Sequence, residues 1–247
     1  MSRIAKGYIA LVLCSGAAVL LLAARSWSSA NLTQFLMLLG FAAVSSTLKI
    51  RIPGIESSMS PSFVFLLLAM SCSSFSEVVV IALVAALFQS LWAAKRVRII
   101  QVAFSAAALV LSASFAFEFS RVLLGASASN SAVILAVLAG SLYLPLNTAL
   151  VSAVIGLVEG KSLVQVARVC SECALPYFMS GIVFAGLVSS AFPRSTVWNG
   201  AVALFPIVVL GYLYSQIRTR TVAPALIQPV SMEAEELVEA GSYRPPR

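Results

Sequence analysis

Long apolar runs without a charged side chain constrain this chain more than any other feature. Three of them, residues 8–24, 78–94 and 134–158, contain no Asp, Glu, Lys or Arg. A charge-free run of about 18 residues or more is typical of a membrane-spanning helix, because the hydrocarbon core of a bilayer is roughly 30 Å thick. Only 10% of all residues are charged, whereas a soluble domain carries about 25%. The sequence therefore predicts an integral membrane protein of the all-α class.

Eight apolar segments follow one another and predict a polytopic transmembrane bundle of about eight helices. Their ranges are 8–24, 32–48, 61–70, 78–94, 99–117, 131–158, 174–192 and 197–215. The third is short for a crossing, so a re-entrant segment within residues 58–73 is the alternative to a spanning helix. The first follows Arg3 and Lys6, as a signal peptide would, but the further spans favour a retained helix. Pro145, inside the sixth, predicts a kink.

The basic residues are divided unevenly between the two sides that eight crossings define. With a cytoplasmic N-terminus, 13 of the 16 Lys and Arg fall in cytoplasmic segments and 3 fall outside. The inner set is Arg3, Lys6, Lys49, Arg51, Lys95, Arg96, Arg98, Lys161, Arg168, Arg218, Arg220, Arg244 and Arg247, and the outer set is Arg25, Arg121 and Arg194. Because cytoplasmic loops carry an excess of Lys and Arg, both termini are predicted to lie in the cytoplasm.

Two regions of different character divide the chain. Residues 1–218 hold the predicted transmembrane domain, and residues 219–247 contain four of the nine acidic residues and several prolines and lack a long apolar run. The second region is predicted to be a disordered cytoplasmic tail, with a short partner-docking helix over residues 231–240 as the alternative. The scattered basic residues do not form the concentrated patch of a nucleic-acid-binding domain. The expected partners are the lipid bilayer and either a cytoplasmic signalling protein or further copies of the chain.

The usual catalytic side chains are scarce. The sequence contains no His and no Asp, which removes Ser-His-Asp triads and histidine metal sites. The pair Cys170 and Cys173 has the spacing of a redox or metal motif, but no second pair completes a zinc site, and two structural cysteines at a helix start are the favoured interpretation. We therefore expect no enzyme activity, no cofactor and no metal site.

A small set of polar residues within or beside the apolar segments forms the candidate ligand or packing positions. They are Ser58, Ser60, Gln101, Glu118, Arg121 and Asn147. Glu118 and Arg121 lie three apart on one helical face, which favours an ion pair over a ligand-facing pair. Gln101 and Asn147 suit hydrogen bonds between helices or a cavity lining. Ser58 and Ser60 belong either to a serine-capped helix start or to irregular backbone that faces a cavity.

Several short stretches resemble a known membrane module. They are residues 58–65 followed by a serine-rich break, a second apolar helix and a basic cluster, then residues 143–147, 159–163 and 175–177, and finally Pro206 with Tyr212 and Tyr214. The pattern, over about residues 30–220, is similar to the membrane module that precedes HD-GYP phosphodiesterase or GGDEF cyclase domains in bacterial signalling proteins. The chain departs from it at Phe104-Ser105, where those modules place Asn after the Phe.

Neither output domain follows within the chain, so the resemblance implies a stand-alone sensor-like or scaffolding module without a catalytic domain. It also implies a multi-pass place in the bacterial cytoplasmic membrane. The alternative function is small-molecule binding or transport, since the size and helix count resemble the substrate-binding subunits of vitamin transporters. The short third segment and Pro145 favour this alternative, because broken helices often border substrate sites.

Overall fold

The computed structural model describes residues 3–29, 31–48, 50–51, 58–92, 98–128, 132–160, 162–192, 196–197, 199–209 and 211. Within these ranges the chain is all-α, as predicted. The helices are α1 (Arg3–Arg25), α2 (Leu32–Thr47), α3 (Ser62–Cys72), α4 (Phe75–Leu91), α5 (Ile99–Ala128), α6 (Ala132–Glu159), α7 (Leu163–Ala191) and α8 (Asn199–Val209). The strands β1 (Ile50–Arg51) and β2 (Ser58–Met59) pair antiparallel between α2 and α3. The predicted tail, residues 219–247, lies outside the described residues.

The first four helices alternate in direction. Near the end of α2, Ser60 Oγ lies 3.2 Å from the Ser45 carbonyl oxygen. Near its start, the Gln34 side-chain amide donates to the Cys72 carbonyl oxygen at 3.5 Å. The segment Ser62–Cys72 thus runs antiparallel to α2 and connects opposite ends of it, whereas a re-entrant segment would return to the end where it began. We call the end with the Ser73-Ser74 turn the turn end, and the opposite one, where β1 and β2 lie, the hairpin end.

The remaining helices continue the alternation. Helices α1 and α5 run in the same direction, because Tyr8 packs on Phe104 and Gly16 lies against Ala107. The Tyr8 hydroxyl donates to the carbonyl oxygen of Leu150 in the second half of α6 (3.1 Å). Because Tyr8 lies near the start of α1, at the hairpin end, α6 runs from the turn end to the hairpin end. Helix α7 returns to the turn end. Helix α8 starts there, where Gly200 packs on Val188 and Phe192.

Helix α3 lies at the centre of the bundle. Ten of its eleven residues are buried, because it packs against α2, α4, α6 and α7. Phe63 contacts Phe178 of α7 with ring centroids 4.3 Å apart, and Phe65 stacks on Phe41 of α2 at 5.6 Å. At 1.5 Å per residue the helix is only about 16 Å long. Its apolar side chains face protein on every side, so no polar face is needed.

The outer surface of the bundle is also apolar. Exposed large apolar side chains lie along the helices, among them Leu11, Leu21, Leu36, Val122, Val183 and Leu187. Among the residues that the structure describes, three helices are long and apolar enough to cross a membrane, Arg3–Arg25, Ile99–Gly125 and Ala132–Val158, and five shorter apolar helices accompany them. A bundle that is apolar both inside and outside belongs in lipid rather than in water. The chain is therefore a membrane protein with transmembrane helices, as predicted.

The helix ends differ from the predicted ones in ways that have a local cause. Helix α4 begins at Phe75 rather than at residue 78, because a capping box starts it early. Helix α5 continues past residue 117 to Gly125, which adopts a φ of 60° that breaks regular helix. Helix α7 begins at Leu163 rather than at residue 174. The helix start predicted at Cys170 and Cys173 was therefore wrong, since both residues lie inside α7.

Candidate functional site

A short polar turn joins α3 to α4 and collects contacts from four other helices. Ser74 caps α4, since its hydroxyl accepts a hydrogen bond from the Glu77 backbone N–H at 3.3 Å. The Glu77 carboxylate accepts the return bond from the Ser74 backbone N–H at 2.8 Å. This reciprocal pair is a capping box, which satisfies two of the orphan donors at a helix start. It fixes Glu77 at the turn end of the bundle.

Glu77 is a buried carboxylate, with only 4% of its surface exposed. Its other oxygen, Oε1, accepts a hydrogen bond of 2.6 Å from the Ser29 hydroxyl. Among the described residues, no basic side chain lies within salt-bridge distance of it. The two hydrogen bonds and the positive end of the α4 dipole stabilise its negative charge. Burying a carboxylate is costly without such partners, so the site depends on these donors.

The segment after α1 covers the turn. The Ser74 hydroxyl donates to the Ser28 carbonyl oxygen at 2.7 Å, and the Ser76 hydroxyl donates to the Ser26 carbonyl oxygen at 2.9 Å. Together with the bond from Ser29, these contacts attach the end of α1 to the start of α4. Residues 26–29 are exposed on their outer side, so they form the outermost layer of the site.

The last carbonyl groups of α3 are capped by side chains from α2 and α5. Gln34, 4% exposed, donates through Nε2 to the Cys72 carbonyl oxygen. Arg121 donates through Nη2 to the Ser73 carbonyl oxygen at 3.4 Å, and its guanidinium lies 4.1 Å from the centroid of the Phe117 ring. A cation at the C-terminal end of a helix is favourable, because that end carries partial negative charge.

One peptide group is therefore held between opposite charges. Its carbonyl oxygen, on Ser73, faces the guanidinium of Arg121, and its N–H, on Ser74, faces the carboxylate of Glu77. Next to it, the hydroxyl oxygens of Ser71 and Ser189 lie 3.2 Å apart and join α3 to α7. A change at this turn thus reaches α1, α2, α4, α5 and α7 directly.

The predicted site residues at the hairpin end have packing roles or surface positions. Ser60 is buried, and its hydroxyl lies 2.9 Å from Ser62 Oγ while accepting from the Ser62 N–H at 3.3 Å. With its contact to Ser45, it fastens the start of α3 to the end of α2. Ser58 lies on β2, opposite Arg51 of β1. Gln101 lies exposed in the first turn of α5.

The other three predicted residues are divided between the turn end and α6. Arg121 belongs to the turn, whereas Glu118 lies exposed on α5. Asn147 is half-buried in α6, two residues after Pro145, and its Oδ1 is buried without a hydrogen-bond partner. The structure therefore brings Arg121 alone of the predicted residues into the polar turn. The roles predicted for Glu118 and Asn147 stay predictions.

Two residues central to the site were missed in the sequence. The motif that carries Glu77, Ser74-Phe75-Ser76-Glu77, is readable as a capping box before an apolar run. Gln34 carried no such signal, since a glutamine near the start of an apolar segment has no distinguishing spacing. Within the described parts of the chain, no three His, Cys, Asp or Glu side chains are grouped to hold a metal ion.

Comparison of the chain with protein-family models, with curated proteins and with solved structures finds no match.

We expect Glu77→Ala to lower the free energy of unfolding by about 1–3 kcal/mol, because it leaves the Ser74 N–H and the Ser29 hydroxyl without their acceptor. The matched control is Glu118→Ala, which removes an exposed carboxylate and should change stability by no more than about 0.5 kcal/mol. Equilibrium unfolding of both purified variants in bicelles measures the difference. Equal effects would show that the capping box does not stabilise the turn.

Proposed function

We propose that the chain crosses the bacterial cytoplasmic membrane eight times with its hairpin end inside and acts as a stand-alone sensor-like module. The topology is supported by the alternating helix directions and by the placement of basic residues. Of the described basic residues, Arg25 and Arg121 lie at the turn end. Arg3, Lys6, Arg51, Arg98 and Arg168 lie at the hairpin end. This division matches the excess of Lys and Arg expected on the cytoplasmic side.

The observation that carries the sensor role is the position of α3. Its end meets the polar turn through Cys72 and Ser73, and its start meets a second buried polar group around Ser60. Close-packed interiors transmit displacement rather than absorb it. A buried helix fixed by hydrogen bonds at both ends can therefore couple the outer face to the cytoplasmic face. No catalytic side chain is required for that role.

The partner proposed for this module is a cytoplasmic signalling protein that contacts the hairpin end and residues 219–247. The resemblance to the membrane modules of HD-GYP and GGDEF proteins supports the same assignment, since those modules are joined to cytoplasmic output domains. The bacterial membrane is proposed on the same resemblance.

A thiol-labelling experiment tests the coupling. The native cysteines are replaced by serine and a single cysteine is introduced by Leu48→Cys, at the hairpin end after α2. We expect Glu77→Gln, a change at the turn end, to alter the labelling rate of that cysteine by about fivefold or more, the lower range of coupling between sites. A cysteine introduced by Gln101→Cys, exposed on α5 at the same end, should keep its rate. Unchanged labelling at position 48 would contradict the sensor role.

One observation favours the alternative, a small-molecule binding or transport protein. The buried Oδ1 of Asn147 lacks a hydrogen-bond partner, and it follows Pro145, whose ring removes a backbone N–H from α6. Unsatisfied polar groups of this kind are uncommon in folded interiors. Solute uptake into liposomes that hold the purified chain, lost in Asn147→Leu but kept in Gln101→Leu, would favour transport over sensing.

A further inference from the structure

Three of the described basic residues at the hairpin end lie along one edge of the bundle. Arg3 and Lys6 belong to α1, and Arg98 directly precedes Ile99, the first residue of α5. All three side chains are exposed, and among the described residues none of them has an ion-pair partner. We call Arg3, Lys6 and Arg98 the basic edge. The other two described basic residues of the hairpin end lie on β1 and α7.

The packing of α1 on α5 brings these three cations to similar heights in the bundle. The ring centroids of Tyr8 and Phe104 lie 6.1 Å apart, which fixes one helix relative to the other. Measured from that contact towards the hairpin end at 1.5 Å per residue, Lys6 lies about 3 Å, Arg3 about 8 Å and Arg98 about 9 Å away. The axes of packed helices are about 8–10 Å apart, so long basic side chains from both helices can reach one phosphate group.

No acidic side chain that the structure describes offsets the charge of the basic edge. Glu77 lies at the opposite end of the bundle, in the polar turn. Glu118 follows Arg98 by 20 residues, about 30 Å along the helix axis. The start of α5 adds the positive end of a helix dipole. A negatively charged group is therefore favoured at this edge.

Large apolar side chains border the basic edge. Ile4 is 72% exposed, Ile99 is 81% exposed and Ile100 is 63% exposed. In a membrane protein such side chains contact acyl chains, so this edge presents cations and an apolar surface side by side. A phospholipid with an anionic headgroup has a part that matches each of them, whereas a soluble anion matches only the charge. Basic clusters next to membrane-spanning helices are a known determinant of binding to anionic lipids.

We propose that the basic edge binds an anionic phospholipid, with the phosphate held by the three cations and the acyl chains along Ile4 and Ile99. The site prefers a headgroup of net negative charge, such as phosphatidylglycerol, over zwitterionic phosphatidylcholine. The inference rests on the proposed function only for the leaflet, which is the cytoplasmic one. The lipid preference itself belongs to the folded chain in either orientation.

Quenching of a single tryptophan by brominated lipid measures this preference at a chosen position. The native tryptophans are replaced by phenylalanine, and Ile4→Trp places one reporter beside the basic edge of the chain in phosphatidylcholine vesicles. Dibrominated phosphatidylglycerol is compared with dibrominated phosphatidylcholine at the same mole fraction. Each basic residue near the lipid surface contributes about fivefold, so we expect a preference for phosphatidylglycerol of about tenfold or more.

The matched control is Leu21→Trp in the same background. Leu21 is 68% exposed and lies in the second half of α1, towards the turn end. A reporter at that position should quench about equally with both lipids. Equal quenching by the two lipids at position 4, or the same preference at both positions, overturns the proposal.

Charge-removing variants locate the preference. The triple change Arg3→Gln, Lys6→Gln and Arg98→Gln keeps long polar side chains and should bring the preference at position 4 close to one. Arg25→Gln removes one exposed charge at the turn end and should leave it unchanged. If the triple variant does not fold, about 1 M sodium chloride serves instead, because the Debye length falls to about 3 Å. A preference that survives the triple change or the salt contradicts the assignment.

Two further comparisons separate the ligand from the fate of the proposed function. Sodium phosphate is titrated against sodium chloride at equal ionic strength, and a preference lost in phosphate alone would make a soluble anion the ligand and overturn the lipid site. Reporter fusions that place the hairpin end outside the cytoplasm would remove the leaflet and the proposed topology but leave the lipid preference standing. Equal quenching at position 4 with the hairpin end inside would do the reverse.

Discussion

Replacing Phe65 by alanine is expected to lower the free energy of unfolding by about 3–5 kcal/mol, the range for removing a buried aromatic side chain. The ring is fully buried in the first half of α3, where it lies between Phe41 of α2 and Phe205 of α8 at centroid distances of 5.6 and 6.3 Å. Lipid tails supply no hydrophobic driving force between helices, so the loss comes from packing and from the cavity left behind. Equilibrium unfolding in bicelles measures it.

The matched control for that prediction is Phe115→Ala on α5. Phe115 is 48% exposed and stacks on Phe119 at 5.2 Å on the outer surface. Its removal should cost about 1 kcal/mol or less, because lipid fills the space and one aromatic pair contributes roughly that amount. If Phe65→Ala and Phe115→Ala cost the same, α3 is not the packed centre of the bundle.

The second large effect is expected from Gly16→Ala, a gain of one methyl group. A Cβ at position 16 would lie 2.7 Å from Ala107 Cβ and 2.9 Å from Ala107 Cα. Because the second of these atoms belongs to the backbone, α1 must move away from α5 as a whole. We expect a loss of about 2–3 kcal/mol, typical of overpacking a close-packed contact.

Gly7→Ala on the same helix supplies the control with the opposite sign. Nothing lies within 4 Å of a Cβ at position 7, and alanine is favoured over glycine in a helix by up to about 1 kcal/mol. Gly7→Ala should therefore leave stability equal or raise it. If Gly7→Ala lowered the free energy of unfolding as much as Gly16→Ala, the close contact between α1 and α5 would not be the cause of the loss.

Hydropathy predicted the helices because lipid-facing and protein-facing positions are both apolar in this bundle. The charge-free run at residues 134–158 lies within α6. The predicted start of the fourth helix, at residue 78, lies only three residues after the observed start of α4 at Phe75. The early start of α7 at Leu163 was missed because Arg168 and Glu172 interrupt the apolar pattern without interrupting the helix. Hydropathy measures burial in lipid, whereas a helix that extends beyond the membrane needs only continuous backbone hydrogen bonds.

The candidate site was less predictable, because it depends on which helix ends meet. Arg121 was recognised as an ionisable group near a helix end, but its contact with the Ser73 carbonyl oxygen joins residues 48 positions apart. The contact between Gln34 and Cys72 likewise joins residues that lie far apart in the sequence. Neither is visible without the directions of α2, α3 and α5. Glu77 was also missed, although it could have been predicted, since its capping box is entirely local in sequence.

The eight-crossing topology with the turn end outside is tested most directly by two reporter fusions. Alkaline phosphatase, which is active only outside the cytoplasm, is joined in one fusion after Ser71 and in the other after Lys95. The proposed topology predicts high activity for the first fusion and low activity for the second, because α4 lies between them. Similar activity for both would place the two ends of α4 on one side of the membrane and contradict the alternation on which the proposed function depends.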